Sequence, residues 1–431
     1  MTRNDIHITG SAYFPGVAIA RLHKGISGDI AQRILLISQH EVSSFSSLPA
    51  GFIVVESVPF SHTMIGLLGL GVPTVLVSAQ QAELLEQDMR LVIDGSSGLI
   101  SSNVDAVPAV VELRQKLEAG KPVMMADGEP VNLSASVRQS SIAGEAKALG
   151  AQAIGLVRTE FLIPDNDLLP DAAFYSRAFG EICKAASPLT VTFRLLDVAA
   201  DKIPSWLPKL DIMGQALGLQ GVRLFNIEPV QGVVSAQLAA LAGLSTDFPV
   251  RVLLPFLVRV EEYDHWLSLI RKSLPDHVPV GAMAETPAMV LDIAELLNRA
   301  DFVAIGCNDL MQSVYAADRD RSALRDYLDP YAPLLFRLFR QLAQQAGENL
   351  NNIQLCGVLA QISGVLPVLL GLGYRTFSVD APFIPHLAQR VVDLTKADCE
   401  SLAEQVCAVN TTQEVLEILQ LPGDRHPPYS C

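Results

Sequence analysis

The stretch Val278-Pro279-Val280-Gly281-Ala282-Met283, continued by Ala284-Glu285-Thr286-Pro287, decides the fold: a short apolar run with a carboxylate at its end. The pattern recurs. Strand-like runs at Val131 to Ser134, Ala153 to Val157, Thr190 to Leu195, Val250 to Phe256, Phe302 to Gly306, Ile353 to Gly357 and Arg375 to Val379 alternate with helix-length segments. Such alternation predicts a parallel sheet, and eight units predict a closed (β/α)8 barrel of the TIM type rather than an open doubly wound sheet. Gly221-Val222-Arg223-Leu224 is a weaker ninth candidate, so the residues alone leave the assignment of eight open.

In such barrels the chemistry sits where strands end and the following loops begin. Polar residues fall at those places: Arg158-Thr159-Glu160 after Gly155-Leu156-Val157, Arg194 and Asp197 at the close of the third run, Glu285, Asn308-Asp309 after Ile305-Gly306-Cys307, and Cys356 after Ile353-Gln354-Leu355. The guanidiniums of Arg158, Arg194 and Arg319 are planar donor forks suited to phosphate and carboxylate, and Glu285 and Asp309 are hard oxygen donors of the kind Mg2+ accepts beside substrate oxygens. A small phosphorylated acid with a metal is the guest they suit.

Upstream, Arg33 to Ile37, Gly51 to Val55, Thr74 to Val77 and Met89 to Ile93 are short runs separated by turn residues, which predicts a small α/β domain. Val107 to Ala119 reads as a polar-faced helix ending at Gly120, ahead of Lys121-Pro122 and the turn Asp127-Gly128-Glu129-Pro130. The expected organisation is therefore a small domain at 1–105, a helical linker at 106–128 and the barrel at 129–431.

The 431 residues are half hydrophobic and carry a formal net charge of −15, from 31 Lys and Arg against 46 Asp and Glu. This balance argues for a large core and against nucleic acid or an anionic lipid surface as partner. The six cysteines include no CxxC pair, which suits a reducing cytosol and predicts no zinc site. The first residues lack the apolar stretch of a secretory signal, so the expected location is cytoplasmic. The uncharged or nearly uncharged stretches Ser57 to Leu84 and Cys356 to Tyr374 are broken by Pro, Gly and polar residues and read as buried β/α segments, not membrane spans.

Taken together, Gly155-Leu156-Val157-Arg158-Thr159-Glu160-Phe161-Leu162, Gly281 to Pro287, Gly306-Cys307-Asn308-Asp309-Leu310-Met311-Gln312 with Ala316-Ala317-Asp318-Arg319, and Cys356-Gly357 with Pro367 to Gly373 resemble the phosphoenolpyruvate-utilising enzymes in order and spacing. The tail, Asp398 to Leu419, is most similar to that of enzyme I of the bacterial sugar phosphotransferase system. In the first domain, Phe60-Ser61-His62-Thr63-Met64-Ile65 resembles the family's phosphohistidine segment, and Gly10 to Ala20 its opening strand. His62 would then begin a helix running to about Gly71, where free backbone N–H groups favour a phosphoryl group.

The resemblance implies a swivelling phosphohistidine domain ahead of a phosphoenolpyruvate-binding barrel. It implies His62 as phosphoryl acceptor, Mg2+ on Glu285 and Asp309, substrate held by Arg158, Arg194, Arg319, Lys202 and the Asn308 amide, and Cys356 as the acid that protonates the enolate to pyruvate. It also implies a homodimer through the barrel and a further phosphoacceptor, a protein or small molecule. Departures from the family pattern are Gln220 in place of a phosphate-binding Arg, Val358 in place of a Glu, and Ala199-Ala200 in place of two glycines beside Asp197, Asp201 and Lys202. The stretch between Ala20 and Gly51 is too short for the helical insert that docks the family's phosphocarrier protein. Two other readings stay open: a catalytically impaired regulatory protein that binds phosphoenolpyruvate, and a Mg-dependent lyase acting on a pyruvate-like acid without His62.

Overall fold

The structure, a computed structural model, describes residues 6–42, 45, 47–104, 117–163, 168–198, 204, 206–207 and 218–421. Among these, residues up to 104 together with 317–329 form one compact unit, and the remainder of 117–421 form a second. Residues 107–116, the greater part of the expected linker helix, lie outside the described residues.

The first unit is a mixed sheet. Its strands are β1 (His7–Thr9), β2 (Ser11–Phe14), β3 (Val17–Lys24), β4 (Arg33–Ser38), β5 (Gly51–Val55), β6 (Thr74–Val77), β7 (Arg90–Asp94) and β8 (Leu99–Ser101), in the spatial order β1-β8-β7-β3-β4-β5-β6-β2. The pairs β3/β4, β4/β5 and β5/β6 are parallel, and the others antiparallel. Side chains alternate between faces with the period of two that a strand imposes. Ile34, Leu36 and Ile53 enter one core with Leu22, Leu91 and Ile93, while Leu35, Ile37, Phe52 and Val54 enter another with Met64 and Leu67 of the helix His62–Leu68.

Where the sequence suggested one opening strand over Gly10 to Ala20, the structure has β2 and β3, separated at Pro15-Gly16. Gly16 takes φ +124°, a conformation that L side chains rarely adopt, so the extended run cannot pass through it. The helix from His62 ends at Leu68, short of Gly71.

The second unit is the closed barrel. Its strands are β10 (Pro130–Val137), β11 (Ile154–Arg158), β12 (Val191–Arg194), β13 (Val250–Leu254), β14 (Val280–Ala284), β15 (Val303–Gly306), β16 (Ile353–Cys356) and β17 (Thr376–Asp380), all parallel, with β17 returning to pair with β10. A short β9 (Val123–Met124) pairs antiparallel with β10 and lies in the stretch that the sequence reading gave to the helical linker. The ninth candidate, Gly221–Leu224, is a turn of 3-10 helix: Gly221 needs φ +50°, and a Cβ there would stand 2.6 Å from Phe256 Cβ.

Inside the barrel, Leu156, Leu253, Met283, Phe302, Ala304 and Cys356 form one cluster. A Cβ at position 281 would meet the Phe302 ring at 2.5 Å, so Gly281 is what admits that ring. The Arg251 guanidinium lies 3.3 Å from the centroid of the ring. Among the described residues no helix is long and apolar enough to cross a membrane.

Two glycines give opposite expectations. A Cβ at Gly371 would lie 1.9 Å from the Cys399 carbonyl oxygen of the neighbouring helix Lys396–Ala408, whereas one at Gly243, in the helix Val230–Leu244, meets nothing within 4 Å. Alanine gains about 1 kcal/mol of helix propensity at either site, but overpacking costs about 1 to 3 kcal/mol or more. Chemical denaturation should show Gly371→Ala destabilised by about 2 kcal/mol and Gly243→Ala stabilised by up to about 1 kcal/mol.

Candidate functional site

Arg158 ends β11 and Arg194 ends β12, and the sheet register sets them directly opposite each other. Two guanidiniums side by side repel unless a carboxylate joins them. Glu160 does so: its Oε1 accepts from Arg158 Nε at 3.1 Å and from Arg194 Nη2 at 2.6 Å. On its other edge Arg194 Nη1 pairs with Asp197 Oδ2 at 2.8 Å.

Arg194 is 4% exposed. Burial works to discharge it, and the surrounding Asp197, Glu160, Glu285 and Asp309 outweigh that and keep it charged. Burial likewise pushes Glu160 up, but Arg194 and Arg158 together hold its carboxyl below the usual range.

A buried polar chain fixes this corner. Thr159 Oγ1 donates to the Arg194 carbonyl at 2.9 Å, Gln237 Nε2 donates to Thr159 Oγ1 at 3.1 Å, and Gln237 Oε1 accepts from the Leu196 N–H at 2.9 Å. Gln237 projects from the helix Val230–Leu244 and is fully buried. It therefore ties the loops after β11 and β12 together.

Glu285 follows β14 and is 1% exposed. Its Oε1 accepts from the Phe256 N–H at 2.8 Å, and a Cβ on residue 306 would collide with its Oε2 at 2.4 Å, so Gly306 is required for the carboxylate to lie there. Burial raises Glu285 well above the ordinary carboxylate value, and Asp309 and Asp197 raise it further against Arg194. Asp197 is raised in turn by burial, Glu160 and Asp309. Asp309 stands in the first turn of the helix Cys307–Tyr315.

These carboxylates offer hard oxygens in a desolvated setting, which fits a divalent cation such as Mg2+ completed by ligand oxygens and water. Among the described residues, no group of three or more His, Cys, Asp or Glu could hold a metal ion. A metal here would thus depend on oxygens from outside the protein.

Cys356 ends β16, and Gln354, two residues earlier on the same face, places Nε2 at 3.1 Å from its Sγ and at 3.0 Å from the Gly155 carbonyl. Burial pushes the Cys356 thiol up to about 12, so it holds its proton at neutral pH. Asn308 Oδ1 accepts from the Val358 N–H at 3.2 Å, across Gly357 at φ +108°. Val358 contributes this backbone N–H to the mouth. Gln220 immediately precedes the 3-10 turn that packs through Gly221 on Phe256, whose N–H holds Glu285.

The structure thus brings Arg158, Arg194, Glu285, Asp309 and Cys356 into one field of mutual influence at the carboxyl end of the barrel strands. Lys202, with Ala199, Ala200 and Asp201, lies outside the described residues. Arg319 groups with the first unit, where its Nη2 is 2.7 Å from Nε2 of His62.

Sequence reasoning gave no role to Glu160, Asp197 or Gln354. The first two obey the same strand-end rule as the arginines, and the only signal in the sequence that could have found Gln354 is its spacing of two from Cys356 on the same strand face. Asp320, whose carboxylate reaches His62, is adjacent to Arg319 in the chain.

Removing one partner from a buried ion pair costs about 3 to 5 kcal/mol. Glu160→Gln should therefore lower stability by about 3 kcal/mol at neutral pH. The folded state depresses this carboxyl below its ordinary value of 4.5, so its contribution is present above that value and is lost as pH falls through the folded-state value. Denaturation at several pH values should show the gap between variant and wild type closing on the acid side.

A family model described as the phosphoenolpyruvate-binding domain of phosphoenolpyruvate-utilising enzymes matches residues 112–395. The chain is 31% identical over 411 residues to the phosphoenolpyruvate-protein phosphotransferase of Cupriavidus necator, covering 88% of this chain and 68% of that protein. It is 28% identical over 381 residues to the Bacillus subtilis protein of the same name, covering 84% and 66%. With multiphosphoryl transfer protein 1 of Escherichia coli it shares 26% over 412 residues, covering 90% of this chain and 49% of that one. The chain spans about two thirds of the first two proteins and about half of the third. A match over well more than half of the chain, on a barrel whose strand ends carry the residues described above, places it in a family: the chain belongs to the phosphoenolpyruvate-utilising enzymes.

Proposed function

We propose that this chain is a transferase that moves the phosphoryl group of phosphoenolpyruvate to its own His62 and releases pyruvate. The observation that carries the reading is the cluster of Glu160, Asp197, Glu285 and Asp309 around buried Arg194, in which burial and the neighbouring carboxylates raise Asp197 and Glu285 while the two arginines hold Glu160 down. A cation and an anionic ligand arriving together would relieve that charge.

In this reading Arg158 and Arg194 hold the phosphate and carboxylate of the substrate, with Lys202 and Arg319 as further cations and the Asn308 amide as a neutral donor. Asn308 Oδ1 is taken by Val358, which leaves its NH2 for a ligand oxygen. Glu285 and Asp309 would hold Mg2+, which would offset negative charge on the phosphate and enolate oxygens.

The lone pair of a His62 ring nitrogen forms the N–P bond as the P–O bond to the enolate breaks. Positioning and charge stabilisation supply most of the rate in such transfers. Cys356, still a thiol at neutral pH, gives its proton to the enolate carbon, and solvent restores it. Residues 1–105 then serve as the phosphohistidine domain and 129–431 as the substrate barrel. A cytoplasmic homodimer passing the group to a further acceptor completes the reading.

Gln220 bears on rate. A charge-assisted hydrogen bond contributes about 1.5 to 3 kcal/mol, or roughly 10- to 150-fold if expressed fully in the transition state.

Intact-protein mass spectrometry after incubation with phosphoenolpyruvate and Mg2+ should reveal one acid-labile phosphoryl adduct, absent from His62→Ala, with matching pyruvate release. Gln220→Arg should speed its formation by about 10-fold or more. Pyruvate release that survives His62→Ala would overturn the phosphotransferase reading in favour of a lyase. Thermal stabilisation by phosphoenolpyruvate with neither adduct nor pyruvate would overturn it in favour of a binding protein.

A further inference from the structure

His62 and the segment 317–329 belong to the same compact unit, and the imidazole is contacted at both ring nitrogens. Nη2 of Arg319 lies 2.7 Å from Nε2. Oδ2 of Asp320 lies 2.9 Å from Nδ1, and Oδ1 of the same carboxylate accepts the His62 backbone N–H at 3.1 Å.

These contacts fix the ring proton. A guanidinium has five N–H donors and no acceptor, so Nε2 must present its lone pair to Arg319. A carboxylate accepts, so Nδ1 must carry the hydrogen. An imidazolium would instead set an N–H against the guanidinium at 2.7 Å, donor against donor and cation against cation.

The turn that presents Asp320 is itself tied down. Asp318 Oδ1 accepts from the Asp320 N–H at 3.0 Å, and its Oδ2 pairs with Arg321 Nε at 3.1 Å. Burial acts to raise the Asp320 carboxyl, and the contacts from His62 and Arg319 bring it below its ordinary value, so it is a carboxylate at neutral pH.

We infer that Asp320 is a positioning residue that holds His62 as the Nδ1–H tautomer, making Nε2 the phosphoryl acceptor and setting a carboxylate against the charge that the ring gains. The inference rests on the phosphotransferase reading. When Nε2 gives its pair to phosphorus and the P–O bond breaks with its pair going to the enolate, the ring becomes cationic. Its Nδ1 proton stays in the hydrogen bond to Asp320, which balances that charge. Arg319 must release Nε2 first, and its guanidinium is then beside the incoming phosphoryl oxygens.

The test uses the full chain with 15N-labelled histidine, read by long-range proton–nitrogen NMR at mildly alkaline pH, with His62→Ala for assignment. Wild type should show His62 protonated at Nδ1, and Asp320→Ala should shift it to a mixture containing Nε2–H. Asp320→Asn, whose amide oxygen still accepts, should keep the tautomer but lose the charge. With phosphoenolpyruvate and Mg2+, both variants should take up phosphoryl groups about 10- to 100-fold more slowly with an unchanged KM.

An Nδ1–H ring that persists in Asp320→Ala, or full transfer rate in either variant, would overturn the inference. If the wild type takes no phosphoryl group at all, the functional reading fails, and the NMR comparison still decides whether Asp320 sets the tautomer.

Discussion

The buried guanidinium of Arg194 is the constraint on which the rest of the barrel mouth depends. A cation 4% exposed is tolerable only with close counter-charges, and Glu160 and Asp197 supply them at 2.6 and 2.8 Å. Meeting that demand places further negative charge beside Glu285 and Asp309; burial, with that charge added, raises Asp197 and lifts Glu285 well above its ordinary value. A surface made stable by its ion pairs would not be left with carboxylates in that state. The arrangement makes sense as a binding site whose charge is completed by what it binds.

Holding so many polar groups in one small mouth requires backbone to come close to side chains, and three glycines permit it. Gly306 clears the Glu285 carboxylate, Gly357 clears the Asn308 amide, and Gly221 lets its 3-10 turn rest on Pro255 and Phe256. Through the Phe256 N–H, that last contact reaches Glu285. The turn carrying Gln220 is therefore packed on a residue that positions the proposed metal carboxylate. The departures at positions 220 and 358 lie within the working architecture of the mouth, and Val358 still contributes its backbone N–H there.

Much of this was legible in the residues. The eight apolar runs became the eight barrel strands because each is too short for a helix and is bounded by turn residues, and alternation with helices leaves parallel pairing as the way to bury both faces. The strand-end rule then put Arg158, Arg194, Glu285 and Cys356 at one rim. Less was legible where backbone conformation, not side-chain pattern, decides. Gly221–Leu224 has the composition of a strand, yet Gly221 at φ +50° turns it into 3-10 helix. Gly16 likewise divides a run that reads as one strand.

The sequence by itself determined the barrel, the family resemblance and the set of charged residues at its rim, because strand period, turn chemistry and residue type are local properties of the chain. Only the tertiary structure decided the pairings. That Glu160 bridges two arginines, that Gln237 ties their loops together from a distant helix, and that Asp320 meets His62 across 258 positions of chain are matters of distance in space. Electrostatic and hydrogen-bond energies depend on those distances and on burial, neither of which is written into the order of residues.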